Sequence, residues 1–220
     1  GIKATVDTLA DLLVENLSQG SGALRSKLPG LLEKCELLMR IQDEYRIQTE
    51  ESTAWNDEFL SQKAALSNEA HRIDTEREDR TRKKFGEIVR KLSLMHGNAN
   101  VPRDIYPIFD TQLPADANQR VCVWVRDGWS TDENSVRADA RQAGNQSPTV
   151  FVFIPKRSAD DLRTHLINYK AAAATLDKRG VPGTPEGTEA RAAMETAKQS
   201  AEGKIRELLE DAFSGARVFQ

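Results

Sequence analysis

Cysteine is scarce in this chain: Cys35 and Cys122 are the only two among 220 residues, each in an apolar context and neither beside a histidine pair. That excludes a disulfide-stapled scaffold and a thiolate zinc site, and it fits a reducing, cytoplasmic setting. Histidine is scarce too. His71, His96 and His165 fall in three separate segments with no partner at ligand spacing, so no metal site is expected. Neither a Gly-x-Ser-x-Gly nor a Ser-x-x-Lys nucleophile motif occurs, and nothing argues for hydrolysis. Aromatic residues make up 6% and apolar residues 39%, which implies modest cores beside long solvated helices. Apolar runs of roughly 18 residues or more are missing, so no segment reads as a membrane span, and the first residues lack a signal-peptide pattern. Excess positive charge is missing as well. The formal net charge of −3 excludes a polycationic nucleic-acid binder, and any such contact must come from a local patch.

What is present changes along the chain. In ATVDTLADLLVENL, Val6, Leu9, Ala10, Leu13 and Leu17 recur on one helical face, with Thr5 or Thr8 placed as cap and Asp7 at the positive end. A second helix follows the LSQGSG break, with Leu24, Leu28, Leu31, Leu32 and Cys35 at helical spacing and Pro29-Gly30 set to kink or split it. LLMRI-QDE-YRIQT then reads as two short strands about a tight turn. Helix, helix and hairpin within residues 1–50 is the layout of a winged-helix domain. Residues 51–96 hold no proline, no glycine before Gly86, and almost unbroken charge between Asp74 and Lys84; they read as a long charged helix or helical arm.

Three prolines between 96 and 119 mark a connector or irregular strand region. Beyond it, RVCVWV and TVFVFI are apolar after their first residue and read as buried strands. They flank a short helix from Asp132 to Ala143, and a further helix starts at Ser158. Strand, helix, strand, helix implies a parallel pair with a right-handed crossover. This module, with its connector, occupies 97–183. A polar, alanine-rich helix and the start of an extended segment close the chain at 184–220. The expected fold class is therefore mixed α/β and helix-rich, with a winged-helix unit, a charged helical arm, a small parallel βαβα module and a C-terminal helix. Beginning at Gly1-Ile2 and stopping at ARVFQ, the chain reads as a piece of a longer protein, with Gly1 a cleavage scar.

Candidate sites divide into three groups. QGSGALRSKL suggests a phosphate-cradling loop, but counting from Gly20 the residues at 25–27 are Arg-Ser-Lys and no apolar strand precedes them, so the pattern fails. In the winged-helix unit, Arg25, Lys27 and Lys34 on the second helix, with Arg40 and Arg46 on the wing, are the candidates for DNA phosphates. Asp43 and Glu44 at the wing tip oppose that reading, and winged helices also dock proteins. Arg80, Arg82, Lys83, Lys84, Arg90 and Lys91 form a second possible track, though their acidic neighbours favour a solvated helix face. In the α/β module, Lys156 and Arg157 after the second strand, and Arg126 and Trp129 after the first, are the candidates for an anion or partner contact. Ser158 with Asp161 resembles a capping box, and Asp160 and Asp161 would repel an incoming anion. Asp127 could serve an enzyme through the Arg126-Asp127-Trp129 loop, or only build an Asp-Gly turn with Trp129 as its lid.

TVDTLADLLVENL, LLMRIQDEYRIQT, VWVRDGW, SPTVFVFIPKRSADDL and LDKRGVPGTPEGTEARAAMETAKQ together resemble the large P-loop ATPase of BREX phage-defence systems, the BrxC/PglY family. The resemblance covers most of the chain. It implies a parent AAA-type ATPase that uses ATP and Mg and works with a methyltransferase and other defence proteins on bacterial and phage DNA. It also implies partners among those proteins or further copies of the ATPase, and an arrangement similar to origin-recognition ATPases, where a winged helix follows the motor core. The family's nucleotide motifs are absent here, so its ATP-binding residues carry over to no position and no cofactor is expected in this segment. The expectation is a non-catalytic module that docks the motor on DNA or on partner subunits. The alternatives are a scaffold binding protein alone and, more remotely, an enzyme.

Overall fold

A computed structural model describes residues 3–15, 18, 20–35, 38–41, 43–47, 49–114, 117 and 120–220, with the backbone alone at 39, 41, 46 and 47. Leu17, expected on the first helix, lies outside the described residues, as does the Arg46 side chain. The chain is mixed α/β and helix-rich. It divides into two compact units, residues 1–61 with 175–194, and residues 62–174 with 195–220. No helix among the described residues is long and apolar enough to cross a membrane.

In the first unit Thr5 caps α1 (Val6–Leu12): its backbone is extended and its hydroxyl accepts from the Thr8 N–H at 3.2 Å. Ala10 is fully buried. The helix α2 (Gly22–Leu32) buries Leu28 and continues past Pro29 to Leu32, so the proline does not split it. The hairpin of β1 (Leu38–Ile41) and β2 (Glu44–Ile47) pairs Leu38 with Ile47 and Ile41 with Glu44. Its buried Tyr45 donates a backbone N–H to the Ala4 carbonyl at 2.8 Å, tying the hairpin to the segment before α1. The next helix, α3 (Glu50–Asn68), starts with reciprocal bonds: Ser52 N–H donates to Thr49 Oγ1 at 3.1 Å and Thr49 N–H to Ser52 Oγ at 2.8 Å. These satisfy two otherwise orphaned donors, as a capping box does. Trp55 is buried under the Arg179 guanidinium, 5.3 Å from the ring centre, and Arg179 pairs with Glu51 at 3.3 Å. The helix, helix, hairpin order read from the sequence is present.

The charged arm expected over 51–96 is not one helix. Helix α3 ends at Asn68 and α4 (Ala70–Val89) begins after Glu69, whose ψ of 64 leaves the helical region. Two side chains explain a break without glycine or proline. Ser67 Oγ donates back to the Lys63 carbonyl at 2.7 Å, and Arg163 donates to the Ser67 carbonyl at 3.1 Å, taking an acceptor that a continuing helix would use. Nor is α4 an exposed arm. Ile73, Arg77, Thr81 and Phe85 are buried along one side of it.

The second unit is built on a four-stranded sheet of β5 (Ile105–Ile108), β6 (Val121–Asp127), β7 (Val150–Ile154) and β8 (Arg217–Phe219), in that order. The first three run parallel and β8 is antiparallel to β7. The expected pair β6 and β7 is present, joined through α5 (Glu133–Ala143), whose cap Asp132 accepts from Ser135 N–H at 3.0 Å. Alternation sends the two sets of side chains to opposite faces. Cys122, Trp124, Phe151 and Phe153 pack with Val136 and Ala140 of α5. Val125, Val152 and Ile154 pack with Phe85 of α4 and Ala212 of α7 (Pro185–Ser214). Helices therefore cover both faces, which is why these strands read as unbroken apolar runs. After β7, α6 (Ala159–Arg179) buries Leu162, Leu166 and Ile167. A separate hairpin of β3 (Leu94–His96) and β4 (Val101–Arg103) precedes the sheet.

Candidate functional site

The basic residues expected to meet DNA lie in an acidic unit. Residues 1–61 with 175–194 carry nine Lys and Arg against fourteen Asp and Glu, a formal net charge of −5. Arg25 is spoken for within it. Its guanidinium reaches Asp7 at 3.1 Å and Asp11 at 2.9 Å, while its Nε donates to Ser21 Oγ at 3.0 Å. Hydrogen bonds from Ser21 and Arg25 hold the Asp11 carboxyl below its ordinary range, so the acid stays charged beside the arginine. Lys27 and Lys34 are exposed on and just after α2. Arg40 lies 3.7 Å from Asp43 and 6.0 Å from the Tyr45 ring centre. The Arg46 side chain lies outside the described residues. The glycine-rich stretch before Arg25 is the turn into α2, with Gly20 at φ 65 and Arg25 directed to Asp11. It does not fit a triphosphate, and no nucleotide chemistry is derived from it.

At the carboxyl ends of β5 and β6, where open α/β sheets place ligands, a cleft of about 450 Å³ is lined by Arg77, Arg82, Phe109, Asp110, Asp127 and Trp129 among others. The Asp127 carboxylate is engaged in the turn: Oδ1 accepts from Trp129 N–H at 3.1 Å, Ser130 N–H at 3.0 Å and the Ser130 hydroxyl at 3.0 Å. Gly128 is required there. A Cβ on it would come within 2.6 Å of the Lys156 backbone nitrogen, and its own N–H donates to the Ile154 carbonyl at 2.9 Å. Arg126 pairs with Asp139, donates to Thr131 Oγ1 at 2.9 Å and lies over Trp124 at 4.8 Å. Trp129 lies against Arg77, whose guanidinium is 4.8 Å from the ring centre and bonds Asp74 at 2.6 Å.

Thus Arg126 and Trp129, both expected as anion or partner contacts, are held by neighbours in the same unit. Arg157 donates to the Asp211 carbonyl and carboxylate, each at 3.2 Å, and its guanidinium fills the space where Gly215 lacks a side chain. Lys156 is exposed. Ser158 departs from the capping-box expectation: its φ is 44, in the left-handed region rather than the extended one, while its carbonyl accepts from Leu162 N–H at 2.9 Å. His71, His96 and His165 lie on α4, β3 and α6, and no cluster of three or more metal-ligating side chains occurs among the described residues.

Sequence reasoning missed the charge network that packs α4. Arg80 bonds Glu76 at 2.7 Å and Glu202 at 2.9 Å and lies 4.4 Å from the Tyr169 ring centre, while Lys170 reaches Glu76 at 2.8 Å. Lys84 pairs with Glu210 at 2.9 Å. Burial alone would push Glu76 up, but hydrogen bonds from Lys170 and Arg80 together outweigh it and leave the carboxyl below its ordinary value. The i,i+4 spacing of Glu76 and Arg80 was a visible signal; their partners on α6 and α7 were not. Arg80 and Lys84, read as part of a cationic track, are therefore offset by carboxylates. No family profile, curated protein or solved structure matches the chain.

Proposed function

We propose that this chain is a non-catalytic docking module of a BREX-type phage-defence ATPase, acting in the cytoplasm, and that its first unit docks on protein. The assignment to that defence system rests on the resemblance of the long sequence stretches quoted above. The observation that carries the docking surface is electrostatic: the unit with winged-helix element order has a net charge of −5, and Arg25 is already paired with Asp7 and Asp11. A phosphate track needs uncompensated cations, because affinity for duplex DNA comes from neutralised phosphates and released counterions. The partners this reading names are other BREX proteins or further copies of the ATPase. ATP and Mg belong to the motor portion of the parent protein. The non-catalytic reading is supported by the engagement of the Asp127 carboxylate within its own turn.

A second reading keeps DNA as the docking target, through Lys27 and Lys34, which are exposed. Fluorescence anisotropy with labelled duplex DNA at low and moderate salt separates the two. Protein docking expects no saturable binding at low salt. Binding that weakens steeply with salt and is lost in Lys27→Glu/Lys34→Glu would transfer the assignment to DNA.

A further inference from the structure

The hairpin of β3 and β4 has all six of its strand residues exposed. Two strands alone are marginal in water; a third strand or a packed face is what normally stabilises them. Here the open surface is apolar. Leu94, Met95 and Val101 are 38%, 52% and 45% exposed, and Leu92 at the foot of the hairpin is 59% exposed. It is also cationic. From residue 88 to 103 there is no carboxylate, while Arg90, Lys91 and Arg103 are all exposed. Cross-strand partners share a face, so the pairs Leu94 with Arg103 and His96 with Val101 put aliphatic and basic side chains side by side. The two edges differ. Pro102 has no N–H to offer and blunts β4, which leaves the edge of β3, Leu94 to His96, as the one suited to pairing.

We propose that the 88–103 surface is a docking site for an extended acidic-aliphatic protein segment, which adds a third strand along β3 and sets its carboxylates against Arg90, Lys91 and Arg103. The inference goes beyond the reading above, which concerns the first unit, and places a separate docking surface on the second. Strand addition supplies affinity through the backbone and specificity through alternate side chains. Charge complementarity selects a carboxylate-bearing partner, and the exposed aliphatics favour protein over nucleic acid, whose backbone offers little apolar surface for them to cover.

The probe is a short fluorescent peptide of alternating glutamate and valine, titrated into the whole chain at low salt. Controls are a lysine–valine peptide and duplex DNA. The expected result is saturable binding of the acidic peptide alone, weakened about ten-fold or more by Arg90→Glu/Lys91→Glu and, separately, by Leu94→Ser. These side chains are exposed, and thermal melting of each variant confirms the fold. Absence of binding overturns the inference, as does equal binding of the lysine–valine peptide. Duplex DNA binding lost in Arg90→Glu/Lys91→Glu also overturns it, in favour of nucleic acid. DNA binding by the first unit, which would sink the protein-docking reading, is lost in Lys27→Glu/Lys34→Glu and not in Arg90→Glu/Lys91→Glu, so the two failures are distinguishable.

Discussion

Replacing Asp127 by asparagine and by alanine asks whether its carboxylate is an acid or only an acceptor. In the structure Oδ1 alone receives the Trp129 N–H, the Ser130 N–H and the Ser130 hydroxyl. An asparagine carbonyl oxygen can accept all three, so Asp127→Asn should change stability by no more than about 0.5 kcal/mol. Alanine removes the acceptor and frees two backbone donors at a half-buried turn, a loss comparable to deleting a helix cap, about 1–2 kcal/mol. For a chain of this length that lowers Tm by roughly 2–8 °C. Urea unfolding followed by tryptophan fluorescence reads both variants, with Trp129 in the same turn reporting on it directly. If asparagine destabilises as much as alanine, the charge matters and the turn account is wrong. If both are silent in stability yet abolish an activity of the parent ATPase, Asp127 belongs to the chemistry and the non-catalytic reading fails.

Three further outcomes follow from the second unit. Gly128→Ala places a methyl group 2.6 Å from the Lys156 backbone nitrogen, and overpacking of that kind should cost about 1–3 kcal/mol in denaturant unfolding. Phe85 is buried against Val125, Val152 and Ile154 and meets Phe109 edge-on at 5.7 Å; Phe85→Ala should cost about 3–5 kcal/mol, and a loss under about 1 kcal/mol would argue against this packing. Glu76 lies below its ordinary value of 4.5, so its stabilising share is present above that pH and is lost as pH falls through the lower, folded-state value. Glu76→Gln should therefore flatten the acid limb of a stability-against-pH curve, and an unchanged limb would remove Glu76 as its source.

Much of the second unit was legible because its chemistry is local. RVCVWV and TVFVFI are apolar at every position after the first, and Asp132 sits where a helix cap belongs. The hairpin at 38–47 was legible from its alternation and turn. What escaped depends on partners distant in sequence. The break at Glu69 has no glycine or proline to announce it, and it is stabilised by Arg163, 96 residues away from Ser67. Pro107 and its neighbours left 105–108 open between connector and irregular strand; an edge position tolerates a proline, and β5 forms there. Arg77 and Arg80 looked solvated because arginine usually is. Here one lies on Trp129 and the other on Tyr169, with carboxylates nearby. At the candidate sites the sequence supplied the residues but not their pairings, and Arg25, Arg126 and Arg157 proved to be held by acids of their own units.

The most direct test of protein docking is duplex-DNA anisotropy on the whole chain at low and then moderate salt. The account expects no saturable binding at either, with the acidic first unit repelling the phosphates. A tight complex at low salt, weakening steeply as salt rises and abolished by Lys27→Glu/Lys34→Glu, would contradict it and make the first unit a DNA-docking module.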